Sequence, residues 1–454
     1  MQSTQFPSPL GCVAGHQPTI SRNIGEAIGR ELRAAAINWN VAPVIEPVTE
    51  LTEPLDVSRR FGSEPDTISN YTGAFIEGSH TAGVTTCTTE ALTSPLREAY
   101  RRTIDDVEVD EDFLDLVEHD LEPLRKLLAD GLLDCIMLSS TIFDFDDTER
   151  SKKCIRFVID QVIRGSLGFE GPVVMNCATL PLDSNNCSVH APLRAFLCGS
   201  DMVCLPIEQD VRLSSINAIY ANLEEDSALR SAVEKSSDRV AALKSQYLSW
   251  PVELSSPSPE LAQSLISAHA STALAAYHAS ITSLQPGPSP LLSLPAGSVI
   301  LLMTPTVPPL RAHVGPADPF EPLGRALSRH QPRVRHVPYT LSTGLTTTHM
   351  AFLERVGAVI LVLACPSSAL TEVQLELWAK VENVLVGIED VSDRKVRRLV
   401  ISAGDVRDLF QPEMSGKGWW GVACWDYTRG ALEAVADVIS GEREAAGRLP
   451  IQMR

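Results

Sequence analysis

The sequence predicts an α/β protein in which an incomplete (β/α) barrel is followed by a second α/β domain. Short apolar runs alternate with helical stretches along the chain, for example at Val299–Met303 and Ala358–Leu363. Val173–Met175 is apolar at consecutive positions, which is typical of a parallel strand covered on both faces, and the polar Asn176 follows it. With 454 residues the chain is also long for one domain, so we expect two or three.

The first half alternates helices and strands as a barrel requires. A helical spacing over Ser21–Ala35 leads into a strand-like run that ends at Glu46. Further steps of the same kind follow, and they are predicted as helix 67–82 with strand 84–88, helix 113–130 with strand 134–138, the strand before Asn176, helix 190–197 with strand 199–205, and a helical region over 217–248. Because catalytic groups of such barrels lie at the carboxyl ends of the strands, residues such as Glu46 and Asn176 are site candidates.

Two stretches rich in serine and proline, Ser255–Pro259 and Leu284–Pro295, indicate where the barrel region ends. We therefore predict a barrel domain over 1–250, a helical, Pro/Ser-rich linker over 251–295 and a C-terminal α/β domain over 296–454.

Charge and composition exclude several partner classes. A formal charge of −19 argues against nucleic acid, and no apolar run approaches the roughly 20 residues of a membrane-spanning helix. The acidic run Asp144–Glu149 lacks the spacing of a calcium loop, so no metal or other cofactor is expected. The overall charge by itself suits a neutral or cationic ligand better than a polyanion, and the oligomeric state is left open.

The ten cysteines are spaced singly, with no C-x-x-C pair, and most of them lie in apolar runs. This pattern predicts buried, reduced thiols rather than disulfides or a zinc site. The first residues lack the basic and apolar regions of a secretory signal. Together these observations predict a cytoplasmic protein.

Three stretches carry the pattern of a known family. Residues 37–46 match I-N-x-N-x-A-P-V-x-D with Glu46 in place of the Asp, and Ser58–Pro65 is close to R-S-F-G-x-D-P. Gly168–Asn176 follows G-F-x-G-x-V-x-S-D except at its last two residues. The chain thus resembles glycoside hydrolase family 3, the β-N-acetylhexosaminidase branch. The resemblance implies a TIM-type barrel, a C-terminal α/β sandwich and O-glycosyl hydrolysis in carbohydrate metabolism.

The resemblance also implies where substrate and catalytic groups should lie. The nucleophile position falls on Asn176 and the acid/base position, a histidine in the family, falls on Arg102. Arg59 takes the place of a sugar-contacting arginine, and we count Glu46 and Asn176 with it as substrate-binding candidates. Glu90 is the one carboxylate at a former catalytic-loop position and is the possible substitute acid. Other family ligands are replaced by Thr89, Ser94 and Ser140.

The start of the chain departs from the family as well. The family begins with a strand that ends in D-Q-E-G-G-R, whereas this chain begins with residues that resemble the segment after it. We therefore expect the first barrel strand to be missing and the barrel to be shortened at its N-terminal side.

These substitutions leave three functional hypotheses open. The chain is a catalytically impaired family member or pseudoenzyme, or a weakly active β-N-acetylglucosaminidase that uses substitute groups, or a non-catalytic carbohydrate-binding or interaction scaffold. Cys177 is either a substitute nucleophile or, as is commoner, a packed thiol. Trp419, Trp420 and Trp425 either stack on sugar or, again as is commoner, pack in a core.

Overall fold

The computed structural model describes most of the chain, namely residues 3–49, 52, 54–89, 91–92, 111–139, 153, 155–178, 187–248, 257–285, 289–308, 318–340, 342–364, 368–392, 394–407 and 418–451. They form two compact units. The barrel unit comprises Gly25–Pro47 and Glu64–Leu265. The C-terminal unit comprises Met1–Ile24, Val48–Ser63 and Ile266–Arg454. The predicted division at 250 and 295 stays a prediction.

Helices and strands alternate through both units. The described α-helices are α1 (Pro9–Ala14), α2 (Pro18–Ala34), α3 (Pro54–Val57), α4 (Pro65–Thr81), α5 (Glu111–Ala129), α6 (Cys187–Leu197), α7 (Gln209–Glu225), α8 (Ser227–Tyr247), α9 (Pro259–Ser280), α10 (Glu321–His330), α11 (Thr347–Leu353), α12 (Ser368–Ser392) and α13 (Arg429–Ile439), with a π-helix at Val158–Ser166 and a 3₁₀-helix at Pro290–Ser293. Within these residues, no helix has both the length and the apolar character needed to cross a membrane.

The strands fall into two groups. The barrel unit contains β1 (Trp39–Asn40), β2 (Thr85–Thr86), β3 (Ile136–Ser139), β4 (Val173–Asn176) and β5 (Met202–Cys204). The C-terminal unit contains β6 (Thr282–Ser283), β7 (Ile300–Met303), β8 (Val334–His336), β9 (Ala358–Leu363), β10 (Arg397–Ser402) and β11 (Trp420–Ala423).

Consecutive strands of the barrel unit are parallel neighbours. β1 pairs with β2, and β3, β4 and β5 pair in that order. A parallel bridge between Val44 and Thr89 extends the pairing of β1 with β2. A second parallel bridge, between Thr88 and Ile136, connects that pair to β3, so the five strands are neighbours in chain order. The parallel arrangement predicted for the five apolar runs is confirmed.

Both faces of β4 are covered. Val173 and Met175 belong to a large core that includes residues of the surrounding helices. Val174 belongs to a separate buried cluster on the other face, with Met137 of β3, Cys135 just before that strand, and Cys87. We call this second face the inner face. Two covered faces explain why consecutive positions of β4 are apolar.

A buried aspartate fixes the amino ends of β4 and β5. Asp201 directly precedes β5, and its carboxylate accepts a hydrogen bond from the backbone N–H of Val173, the first residue of β4, at 2.8 Å. The same carboxylate contacts Arg164 Nη2 at 2.6 Å and Arg239 Nη1 at 3.0 Å, and it accepts from Ser236 Oγ at 2.8 Å. The Asp201 side chain is fully buried. This network ties helix α8 and the π-helix to the sheet.

A second aspartate repeats the arrangement one strand pair away. Asp134 lies just before β3 and accepts from the backbone N–H and the hydroxyl of Thr86, both at 3.0 Å. His80 Nε2 lies 2.7 Å from Oδ2, and Tyr247, at the end of α8, donates to Oδ1 at 2.5 Å. The group lies at the amino ends of the strands, and it connects helices α4 and α8 to β2 and to the start of β3.

The C-terminal unit is built on one sheet with the strand order β6-β11-β10-β9-β7-β8, parallel except for β6. Residues from the beginning of the chain complete its core. Leu10 of α1, Val48 and Val57 are buried in one cluster with Val406 and Trp425. The unit is therefore assembled from segments far apart in sequence.

Helix α11 begins with a capping box in which a histidine takes the usual place of Glu or Gln. The backbone N–H of Thr346 donates to His349 Nδ1 at 3.1 Å, and Val337 O lies 3.2 Å from Nε2. Because Nδ1 accepts, the neutral ring carries its proton on Nε2 and donates it to Val337. Burial is the main cause that lowers the pKa of His349.

We expect acid to destabilise the C-terminal unit through this histidine. A pKa that is lower in the folded state means that the unfolded chain binds more protons, so stability is lost as pH falls below ~6.5. Burial also lowers the pKa values of His278 and His336, which act in the same direction. His349→Gln keeps the capping box and should reduce the loss of stability between pH 7.5 and 5.5, measured by urea unfolding. The exposed His190→Gln is the control, and an equal pH dependence in both variants would contradict the assignment.

Candidate functional site

The carboxyl ends of the barrel strands carry two of the predicted site residues. Asn176 is the last residue of β4 and lies across from Ser139 of β3 and Cys204 of β5 in the sheet register. Glu46 follows β1, two residues beyond the bridge of Val44. Both residues thus lie at the edge of the parallel sheet where such barrels have their active sites.

Asn176 is half-buried, and alternation along β4 directs it to the same inner face as Val174. Its side-chain Oδ1 accepts a hydrogen bond from the backbone N–H of Ala178 at 3.1 Å, which forms a turn directly after the strand. The side chain is a neutral amide, so this position offers donors and an acceptor but no negative charge.

Cys177 is packed in the core as a buried thiol. It is fully buried and belongs to the helix-side core, the face opposite to that of Asn176. Burial, with a smaller contribution from Cys204, raises its pKa to about 12. The thiolate, which is the reactive form, is therefore negligible at neutral pH. The seven cysteines whose side chains the structure describes are free thiols, and six of them are buried while Cys204 is half-buried.

The two other substrate-binding candidates differ sharply in exposure. Glu46 is 3% exposed, so its carboxylate is enclosed by protein. Arg59 is about half exposed and belongs to the C-terminal unit, where its Nη1 lies 3.0 Å from Asp56 Oδ1. The neighbouring Arg60 is buried and donates to Thr52 Oγ1 at 3.2 Å. Of the pair, Arg59 is the arginine that presents its guanidinium to solvent.

Several predicted positions lie outside the described residues, namely Glu90, Ser94, Arg102, Ser140 and the acidic run 144–149. Thr89 is described; it is buried three residues beyond β2 and forms a parallel bridge with Val44. Within the described part of the chain, no group of three or more His, Cys, Asp or Glu residues is placed to hold a metal ion.

The tryptophans of the C-terminal unit are core residues. Trp419, Trp420 and Trp425 are all under 10% exposed, and Trp425 is completely buried. Trp419 packs edge-on against Trp378 and donates from Nε1 to Glu382 at 2.6 Å. Their packing favours the core interpretation over a sugar-stacking surface.

Comparison with known proteins agrees with this arrangement of strands. Residues 1–243, more than half of the chain, match the model of the glycosyl hydrolase family 3 N-terminal domain. The chain belongs to glycosyl hydrolase family 3. The resemblance inferred from the three sequence patterns is therefore confirmed.

Curated relatives point to the same branch of family 3. The chain is 27% identical to a β-hexosaminidase of Tolumonas auensis over 176 residues, which are 38% of this chain and 51% of that protein. It is 27% identical to a β-hexosaminidase of Idiomarina loihiensis over 215 residues, 46% of this chain and 62% of that protein. The matches thus span about half to three fifths of the length of these relatives.

Solved family 3 structures share the fold over nearly the whole chain. A β-N-acetylglucosaminidase from Paenibacillus sp. superposes with a TM-score of 0.72 at 19% identity, covering 99% of this chain and 83% of that chain. A fungal multi-domain β-N-acetylglucosaminidase gives 0.79 at 20% identity, covering 99% of this chain and 51% of that chain. The predicted fold, a TIM-like barrel with a C-terminal α/β domain, is confirmed.

Sequence reasoning missed two residues that bear on Arg59. Asp405 and Arg407 follow β10, and Arg407 reaches the segment that carries Arg59. Their only signal in the sequence is a pair of opposite charges after an apolar strand, which does not reveal a contact some 350 residues away.

Proposed function

We propose that this family 3 protein binds a small carbohydrate and has lost the covalent retaining chemistry of its relatives. The single observation that carries the proposal is Asn176, which stands at the carboxyl end of β4 where the family pattern has the nucleophilic aspartate. A neutral amide cannot form the glycosyl-enzyme ester, and it cannot stabilise a cationic transition state as a carboxylate would.

The surroundings of Asn176 support the same conclusion. Its Oδ1 accepts from Ala178, and the adjacent Cys177 is held as a neutral thiol on the other face of the strand. The acid/base position falls on Arg102, whose guanidinium keeps its proton at every pH relevant to catalysis. Asn176 therefore cannot act as the nucleophile, and Arg102 cannot act as the general acid/base.

Arg59 is the sugar contact that the sequence leaves unaltered. Its exposed guanidinium carries several N–H donors in a planar arrangement that suits vicinal hydroxyls or a carboxylate. Asn176 removes a negative charge from the family site and Arg102 adds a positive one. An acidic sugar is therefore favoured over a neutral one as the ligand.

The cysteines are spaced singly, which favours a reducing, cytoplasmic compartment for the protein.

Binding is tested by NMR titration with N-acetylglucosamine and with glucuronate. We expect weak binding that favours glucuronate and that falls about ten- to a hundredfold in Arg59→Ala, since a charge-assisted hydrogen bond is worth roughly 1.5–3 kcal/mol. Arg30→Ala is the matched control, because Arg30 is equally exposed and also paired with a carboxylate, that of Glu26. Tight binding that Arg59→Ala leaves intact would overturn the assignment of Arg59.

The alternative is a weakly active β-N-acetylglucosaminidase in which Glu90 or another group replaces the lost acid. The names of the curated relatives, β-hexosaminidases, favour this substrate class. A turnover assay separates this alternative from the binding protein. A chain that neither turns over nor binds sugar would be a scaffold.

A further inference from the structure

The segment Val48–Ser63, which we call the Arg59 segment, is part of the C-terminal unit. Its apolar side chains Val48 and Val57 are buried in one core cluster with Val406 and Trp425. The residue proposed to contact sugar is thus carried on a segment whose packing partners come from the other end of the chain.

The guanidinium of Arg407 binds the backbone of one turn of this segment. Nη1 donates to the carbonyl of Thr49 and Nη2 donates to the carbonyl of Thr52, both at 2.7 Å. The guanidinium is itself held by Asp405, whose two carboxylate oxygens lie 2.9 and 3.0 Å from Nε. The Asp405 side chain is 2% exposed, so this ion pair is largely shielded from solvent. We call the pair the Asp405–Arg407 clamp.

The held turn is connected to the arginine pair by further hydrogen bonds. Thr52 Oγ1 accepts from the backbone N–H of Thr49 at 2.9 Å and from Arg60 Nη1 at 3.2 Å. Arg59, the next residue, donates its backbone N–H to Asp56 O at 3.1 Å. A continuous set of contacts therefore runs from Arg407 through Thr52 to the backbone that carries Arg59.

We propose that the Asp405–Arg407 clamp positions Arg59, so that the C-terminal domain sets the affinity of the chain for sugar. The inference rests on the proposed function for its ligand, a sugar with vicinal hydroxyls or a carboxylate. Ordering a mobile segment on binding costs free energy, and a segment already held in one conformation avoids that cost. The side chain of Arg407 contacts backbone carbonyls of the Arg59 segment and does not contact the sugar in this proposal, so Arg407 acts as a positioning residue.

The first test is a titration with glucuronate of the full chain and its variants. Arg407→Ala should weaken binding roughly tenfold, and Arg407→Lys should restore only part of the loss, because an ammonium cannot replace the planar fork of donors. In the Arg59→Ala background, Arg407→Ala should cause no further loss, since both changes act through one contact. Arg333→Ala is the matched control, because Arg333 also donates to a backbone carbonyl, that of Gly297, in the same unit.

The second test is hydrogen exchange of the Arg59 segment in the sugar-free protein. Arg407→Ala should speed amide exchange over 48–63 more than over the other amides of the C-terminal unit, whereas Arg333→Ala should not. The other amides are the internal reference, because Arg407→Ala also leaves the buried Asp405 carboxylate without its partner and lowers the stability of the unit as a whole. If wild type binds neither sugar, the proposed function fails, and the exchange result alone then decides whether the clamp holds the segment. The proposal would be overturned if Arg407→Ala bound glucuronate as tightly as wild type while Arg59→Ala bound it weakly. It would also be overturned if the losses in affinity were fully additive in the double variant, or if Arg407→Ala left amide exchange of the Arg59 segment unchanged.

Discussion

Hydrolysis of a chromogenic N-acetylglucosaminide by this chain is expected to be undetectable or very slow. Glycosidases of ordinary efficiency turn over at roughly 1–10³ s⁻¹. Acid/base assistance alone contributes roughly 10²- to 10⁴-fold, and Asn176 removes the covalent route in addition. Both losses act on the same bond cleavage, so the rate should fall by at least the larger of them.

Restoring the family residues gives the sharper version of this experiment. Asn176→Asp alone should stay slow, because the acid/base position still holds Arg102. The double variant Asn176→Asp, Arg102→His should be faster than either single variant. Asn222→Asp, on the exposed face of α7, is the control for a new carboxylate. Wild-type turnover at an ordinary rate would refute the loss of chemistry, and Glu90→Gln would then test the substitute acid.

Removal of the Asp201 carboxylate should be the most damaging single change to the barrel unit. Asp201→Ala leaves the guanidinium groups of Arg164 and Arg239 without their buried partner and removes the acceptor for the Val173 N–H. Breaking a buried ion pair by deleting one partner costs about 3–5 kcal/mol. We expect a loss of this size in the free energy of unfolding, measured by urea denaturation.

Two variants control the measurement on Asp201. Asp238→Ala changes an exposed carboxylate on the same helix, α8, and should alter stability by less than about 0.5 kcal/mol. Asp201→Asn keeps the shape of the side chain, and its loss in the free energy of unfolding should lie between the losses of Asp201→Ala and Asp238→Ala. Equal effects of Asp201→Ala and Asp238→Ala would show that the network does not stabilise the barrel.

Much of the barrel could be predicted because its strands are covered on both faces. Consecutive apolar residues such as Val173–Met175 have few alternatives to a buried parallel strand, and the polar Asn176 marks its end. The strand predicted to end at Glu46 is shorter than predicted, because only Trp39–Asn40 form a continuous hydrogen-bonded strand. Pro43 has no N–H to donate, and pairing resumes only as a single bridge at Val44.

Other features leave no periodic signal. The helical region predicted over 217–248 is two helices, because Asp226 interrupts it and accepts from the backbone N–H of Leu229 to begin α8. The Asp201 and Asp134 networks, like the Asp405–Arg407 clamp, join single polar residues far apart in sequence. Their partners are decided by the tertiary fold, which local spacing does not encode.

The distribution of the C-terminal unit along the chain has a consequence for synthesis. The chain passes between the two units after Ile24, Pro47, Ser63 and Leu265, so Leu10 and Val57 emerge from the ribosome long before Val406 and Trp425. Leu10 and Val57 share their core cluster with each other, but its covering by Val406 and Trp425 is absent until those residues are made. A nascent chain halted near residue 250 would present these surfaces to solvent and to chaperones, and this core cannot be completed cotranslationally before residues 406–425 have been made.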